Sequence, residues 1–161
     1  MTTYIARPVD PAVLKGLRTT DDAGRPAVPV TDEEGGAPLR CCLRRSDPGE
    51  RIALVSYAPL RAWAAEAGVD PGAYDEQGPV FIHARECAGP ADGAGPPFAG
   101  AHRTVRRYSA EGRILGGLLV EDPTRPAFEA AFAEAFADPA VALLHVRAVE
   151  YGCFLYEVRR A

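Results

Sequence analysis

Three times this sequence sets two apolar, strand-like runs on either side of a short turn signal. LRCCLRR (39–45) and RIALVSY (51–57) flank Ser46-Asp47-Pro48-Gly49. HRTVRRY (102–108) and RILGGLLV (113–120) flank Ser109-Ala110-Glu111-Gly112, and residues 141–149 and 153–160 flank Glu150-Tyr151-Gly152. Asp, Pro and Gly pre-form tight turns, and strands joined by tight turns pair antiparallel. One helix is written as plainly. Thr124 can cap it, Pro126 suits its first turn, and Phe128, Ala131, Phe132, Ala135 and Phe136 recur at i, i+3, i+4, i+7 and i+8. Such a stripe needs a sheet face to cover. The expected fold is α+β: a mostly antiparallel sheet of six or seven short strands, with curling toward a half-barrel left open, and two or three helices.

The remaining elements follow from local chemistry. Thr3-Tyr4-Ile5-Ala6 reads as a short strand, and Asp10-Pro11 opens a helix whose stripe is Val13, Leu14 and Leu17. Residues 19–38 are polar, rich in Gly and Pro and aperiodic, which predicts a long surface loop able to serve as a lid. Residues 59–68 predict a short helix ended by Gly68, and residues 89–100 a second loop. At 161 residues, one domain spanning 1–161 is expected, with a core large enough to fold without staples.

Chemistry concentrates in two His-x-Arg steps inside apolar runs: His83-Ala84-Arg85 in GPVFIHAREC and His145-Val146-Arg147 in VALLHVRAV. A strand sends alternate side chains to opposite faces, so each His shares a face with its Arg, about 7 Å apart at Cα. Val80, Ile82 and Ala84, and Leu144, Val146 and Ala148, form the opposite, apolar faces. In the last hairpin a two-residue turn would force Tyr151 to a positive φ. A three-residue turn Glu150-Tyr151-Gly152 instead puts Gly in that position. It pairs Val149 with Cys153, Arg147 with Leu155 and His145 with Glu157, placing His145, Arg147, Cys153 and Glu157 on one face.

Composition excludes more than it selects. The net charge of −4 opposes a broad nucleic-acid surface, and no apolar run reaches the roughly 20 residues of a membrane span. The start, MTTYIARPVD, lacks the plan of a secretion signal, so a cytoplasmic setting is expected. Lys15 is the single Lys among 18 basic residues, a bias that GC-rich coding explains more readily than anion binding. The four cysteines, 41, 42, 87 and 153, contain no C-x-x-C pair. Cys41 and Cys42, read as neighbours in a strand, face opposite sides. Reduced thiols, no disulfide, no metal and no cofactor are therefore expected. A metal site built from His83, His145, Cys87 and Cys153, or a nucleophilic Cys87 or Cys153, would require those residues to converge.

LRCCL, the PGE-to-SYAP stretch, GPVFIHAREC, RRY, and HVR followed by GCF resemble the signatures of a bacterial family catalogued only as domain of unknown function 1203, over about residues 38–160. The resemblance implies that His83, Cys87, Arg106, His145, Arg147 and Cys153 belong to the family's pattern, and it implies no activity. The expectation from the residues is a cytosolic protein with one pocket on its sheet for a small anionic or polar molecule. Arg85, Arg106 and Arg147 would contact the anion, with Cys87 and Glu157 beside them. Cofactor-free acid/base chemistry at His83 or His145, or a nucleophilic Cys153, stays open. The alternative is a non-enzymatic interaction module that docks a protein on its sheet face or its 19–38 loop. Oligomeric state is not read from the sequence.

Overall fold

The computed structural model describes residues 4–92 and 96–161. Eight strands lie in two open antiparallel sheets. The larger has the order β1 (Tyr4–Arg7), β8 (Phe154–Arg160), β7 (Val141–Ala148), β5 (Arg103–Ser109), β6 (Ile114–Val120). The smaller runs β2 (Val30–Asp32), β3 (Glu50–Tyr57), β4 (Gly78–His83). Three helices, α1 (Pro11–Leu17), α2 (Pro59–Ala67) and α3 (Arg125–Phe136), complete the α+β architecture among the described residues. Thr3, expected to open the first strand, and residues 93–95 of the expected 89–100 loop lie outside them. No described helix is long and apolar enough to cross a membrane.

The helices form where capping and periodicity place them. Asp10 accepts the Ala12 N–H at 2.8 Å to start α1. Gly68, left-handed at φ 72°, ends α2. α3 lays Phe128, Phe132 and Phe136 on one face of the large sheet, against Val105, Leu144, Val146, Tyr156 and Val158. Each buried Phe contributes about 1.5–3 kcal/mol. Thr124 stands at the N-cap of α3 but makes no side-chain capping bond.

The other face of the large sheet is also covered. Leu143 and Tyr108 pack under Leu60, Trp63 and Ala64 of α2. Phe154 enters the core of the small sheet with Val55, Val80 and Ile82, and that core receives Leu14 and Leu17 of α1. The His-x-Arg face of β7 is thus an inner face. Alternation correctly separates Leu144 and Val146 from His145, but covering elements distant in sequence bury both sides.

Three expectations are corrected. Residues 39–45 form no strand and no hairpin with β3. They fold into a compact knuckle in which Leu43 N–H donates to Leu39 O and Leu39 N–H to Arg44 O, both at 2.9 Å, with Leu43 at φ +55°. β3 pairs instead with β4 and with β2, a strand from the middle of the expected 19–38 loop. That loop is pinned. The Asp21 carboxylate accepts the Ser56, Arg25 and Ala23 N–H groups, which hold its pKa below the usual range, and Asp22 accepts the Ala58 N–H at the start of α2. In the last hairpin Gly152 takes φ +72° as expected, and His145 does face Glu157. A bulge between Val146 and Arg147 then slips the turn end by one: Arg147 faces Phe154 rather than Leu155, and Ala148 N–H donates to Cys153 O.

Candidate functional site

The two His-x-Arg steps fall in different sheets and different surroundings, and none of the clefts described here is lined by both. The first ends β4. There the knuckle turns Cys41 and Cys42 to the same side, against the strand expectation, because Leu43's left-handed backbone folds the chain back on itself. Their sulfurs lie 3.9 Å apart, and 3.4 and 3.8 Å from His83 Nδ1. Cys87 joins after the chain bends beyond His83, and the four ligand atoms all lie within 4.8 Å of one another. His83 Nε2 sits 3.1 Å from Glu50 Oε1, and Arg44 grips both Glu50 oxygens at 2.6 and 3.0 Å. That bidentate pair, with the Asp47 N–H, holds the Glu50 carboxyl down to about 2. The Cys41 thiol donates to Cys42, which raises the Cys41 pKa and lowers that of Cys42. Burial raises Cys87. Arg85, past the strand end, is exposed and outside this network.

The second step is sealed. His145 is 1% exposed, with Tyr108 and Phe154 rings at 4.7 and 4.9 Å centroid distance. Neither ring nitrogen has a hydrogen-bond partner, and the closest carboxylate oxygen, on Glu157, stands 3.8 Å from Nε2. Burial lowers its pKa, so it is held as neutral imidazole. Arg147 is already engaged: Glu76 pairs with it at 3.0 Å and the Gly152 carbonyl accepts two of its N–H groups at 3.0 and 2.6 Å. Arg106 pairs with the same Glu76 oxygen. Glu157 pairs with Arg159. Cys153, displaced by the bulge, has its thiol 3.8 Å from the Tyr151 carbonyl, while Phe154 occupies the position over His145. The ligand set considered from sequence, His83, His145, Cys87 and Cys153, therefore is not the set assembled. Cys41 and Cys42 replace His145 and Cys153.

A third place was not expected as a groove, although Cys153 is among the residues that line it. Between the outer face of the small sheet and the end of the β7–β8 hairpin runs a groove of about 810 Å³. Ile52, Leu54, Phe81 and Leu155 make it apolar, and Arg40, Arg45 and Arg103 enter it. Arg103, 2% exposed, is neutralised by Glu150 at 3.2 Å. Arg40, also 2% exposed, donates Nε to Phe154 O at 2.8 Å and Nη1 to Pro38 O at 2.5 Å, and has no carboxylate partner among the described residues. Burial lowers its pKa to about 10, which still leaves it cationic at neutral pH. One signal for it was on the page of the sequence: an Arg between Leu39 and Cys41, inside a run otherwise fit for burial. A buried cation must be paired, and its partner is worth seeking.

A family model described as "protein of unknown function (DUF1203)" matches residues 36–160. Comparison with curated proteins and with solved structures returns no match.

Proposed function

We propose that this chain, which belongs to the DUF1203 family, is a cytoplasmic small-molecule-binding protein whose ligand is an organic anion with an apolar body. The observation that carries the reading is Arg40: a buried guanidinium without a carboxylate partner among the described residues, at the wall of an apolar groove. An anion entering there exchanges water for a charge-assisted hydrogen bond in a poorly hydrated site, while Ile52, Leu54 and Phe81 cover its apolar part. Arg45 at the groove wall adds a second positive charge.

The geometry favours binding over acid/base chemistry. His145 lines none of the clefts, and both nitrogens of His83 face partners. The test is calorimetric titration with aryl and medium-chain alkyl carboxylates, each beside its neutral amide. Carboxylates bind and amides do not, and Arg40→Met weakens the carboxylates at least about tenfold, the loss of one charge-assisted bond. Equal binding of acid and amide, or no binding by any acid, overturns the reading.

A second reading rests on exposed apolar side chains beside the groove. Leu54 is 54% and Tyr151 82% exposed, and Val30 lies on the edge strand β2. A protein partner docking there would bury them. Pull-down of a partner whose affinity falls with Leu54→Lys but not with Arg40→Met supports this interaction module instead.

A further inference from the structure

We propose that Cys41, Cys42, His83 and Cys87 form a closed tetrahedral site for zinc outside the groove. Three observations converge on it.

The first is spacing. Zinc–sulfur bonds of about 2.3 Å and zinc–nitrogen bonds of about 2.0–2.1 Å put neighbouring ligand atoms of a tetrahedron roughly 3.5–3.8 Å apart. The observed separations are 3.9 Å between the two adjacent sulfurs and 3.4 and 3.8 Å from them to His83 Nδ1, with Cys87 Sγ completing a set within 4.8 Å. A thiol activated for nucleophilic attack needs one sulfur beside one imidazole. Three sulfurs around a single ring nitrogen, with Cys41 and Cys42 buried, supply four protein ligands and match a structural metal site.

The second is the outer shell. A histidine that ligates through one nitrogen usually donates its other N–H to a carboxylate, which fixes the tautomer. His83 does this at 3.1 Å to Glu50, and Arg44 fixes Glu50 in turn.

The third is the backbone around the sulfurs. The His83 N–H donates to Cys41 Sγ at 3.2 Å. Three thiolates and one dication leave a single negative charge, and the Arg44 guanidinium lies beside it, 3.4 Å from His83 Nε2.

Bound zinc ties the 39–45 knuckle and the segment after β4 to the same strand end, and so fixes Arg40, the residue before Cys41, at the groove wall. No close Cys pair announces this site, because two ligands are adjacent in a left-handed knuckle and the others arrive 42 and 46 residues after Cys41, as numbering shows.

The full chain, untagged, grown with zinc and purified without chelator, contains about one zinc per molecule by elemental analysis. The reduced, metal-free chain titrated with cobalt(II) develops the intense visible bands of tetrahedral cobalt and a thiolate charge-transfer band. Cys87→Ser loses both signals, while Cys153→Ser keeps them. Where Cys87→Ser fails to fold, Glu50→Gln decides by chelator competition, with metal affinity lowered about 10–100-fold. Absence of stoichiometric zinc together with absence of the cobalt bands overturns the site. So does equal loss in Cys87→Ser and Cys153→Ser, or unchanged affinity in Glu50→Gln.

Discussion

β4 and β7 carry the same three-residue step, and the fold gives the two imidazoles opposite surroundings. His83 ends its strand, where a knuckle from residues 39–45 brings two thiols to Nδ1 and Glu50 meets Nε2. His145 lies in mid-strand, and Tyr108 and Phe154 close over it, leaving both nitrogens without a hydrogen bond. Alternation along a strand says which residues share a face. It says nothing about what covers that face. The partner of each histidine comes from elements remote in sequence, so one motif yields a polar cluster in one sheet and a neutral ring in a core in the other.

The comparison breaks most sharply at the metal. His83→Asn is expected to abolish the tetrahedral cobalt spectrum, whereas His145→Asn leaves it unchanged, both read in the full chain. Loss of the spectrum in His145→Asn would mean that the two steps are coupled after all.

Packing gives the next largest effect. Leu144 is buried against α3 on the face of β7 opposite His145, so Leu144→Ala is expected to cost about 2–5 kcal/mol through cavity formation, measured by chemical denaturation. A loss below about 1 kcal/mol would show that the α3 face collapses around the deletion, contrary to its dense packing.

These outcomes bear on what could be read from the chain alone. The Phe128, Phe132 and Phe136 stripe, the Gly68 stop, and the Ser109–Gly112 and Gly152 turns were legible because each is set by residues within a few positions. The LRCCLRR run was misread because its apolar pattern fits a strand, and only Leu43's left-handed backbone, stabilised by the bonds of Leu39 to Leu43 and Arg44, makes it a knuckle. That single misreading separated Cys41 from Cys42 and concealed the cluster. Arg147 and Glu157 were correctly placed on the His145 face, whereas Arg106 was named only through the family resemblance. Their ion-pair partners Glu76 and Arg159 were not foreseen, so guanidiniums already neutralised were read as open. The groove escaped notice because its walls come from two sheets and no local pattern encodes a gap between them.

The two histidines also differ in what acid does to them. The buried His145 has a folded-state pKa below the unfolded value near 6.5, lowered chiefly by desolvation, while Glu157 opposes the shift and Arg147 and Arg106 add to it. Below pH 6.5 the unfolded chain takes up a proton that the native state refuses. The stability due to neutral His145 is therefore complete above that pH and is lost as pH falls toward the folded pKa. The slope approaches about 1.4 kcal/mol per pH unit at most. The difference between the wild type and His145→Gln isolates this contribution from acid release of a metal. Identical pH profiles would mean that His145 keeps its unfolded-state pKa in the fold, and a wild type stabilised by acid relative to His145→Gln would mean that the ring is protonated and paired with Glu157.

The smallest effect tests whether Arg147 is spent or held in reserve. Glu76 is 46% exposed, and an ion pair with one arm in water contributes about 0–1 kcal/mol, so Glu76→Gln is expected to change stability by no more than that. Arg147 keeps its two bonds to the Gly152 carbonyl in the variant, and Arg106 loses the same carboxylate oxygen. Two guanidiniums then stand without their counter-ion, and one of them, Arg147, lines a small cleft of about 220 Å³ with Gln77 and Tyr151. If the groove at Arg40 is the anion site, Glu76→Gln leaves carboxylate affinity and stoichiometry unchanged, because Arg40 does not depend on Glu76. If calorimetry finds a second carboxylate per chain in Glu76→Gln alone, Glu76 is an internal substitute for an external anion. Arg147 then becomes an anion subsite beside the sealed His145, and the two His-x-Arg strands are closer in function than their surroundings imply.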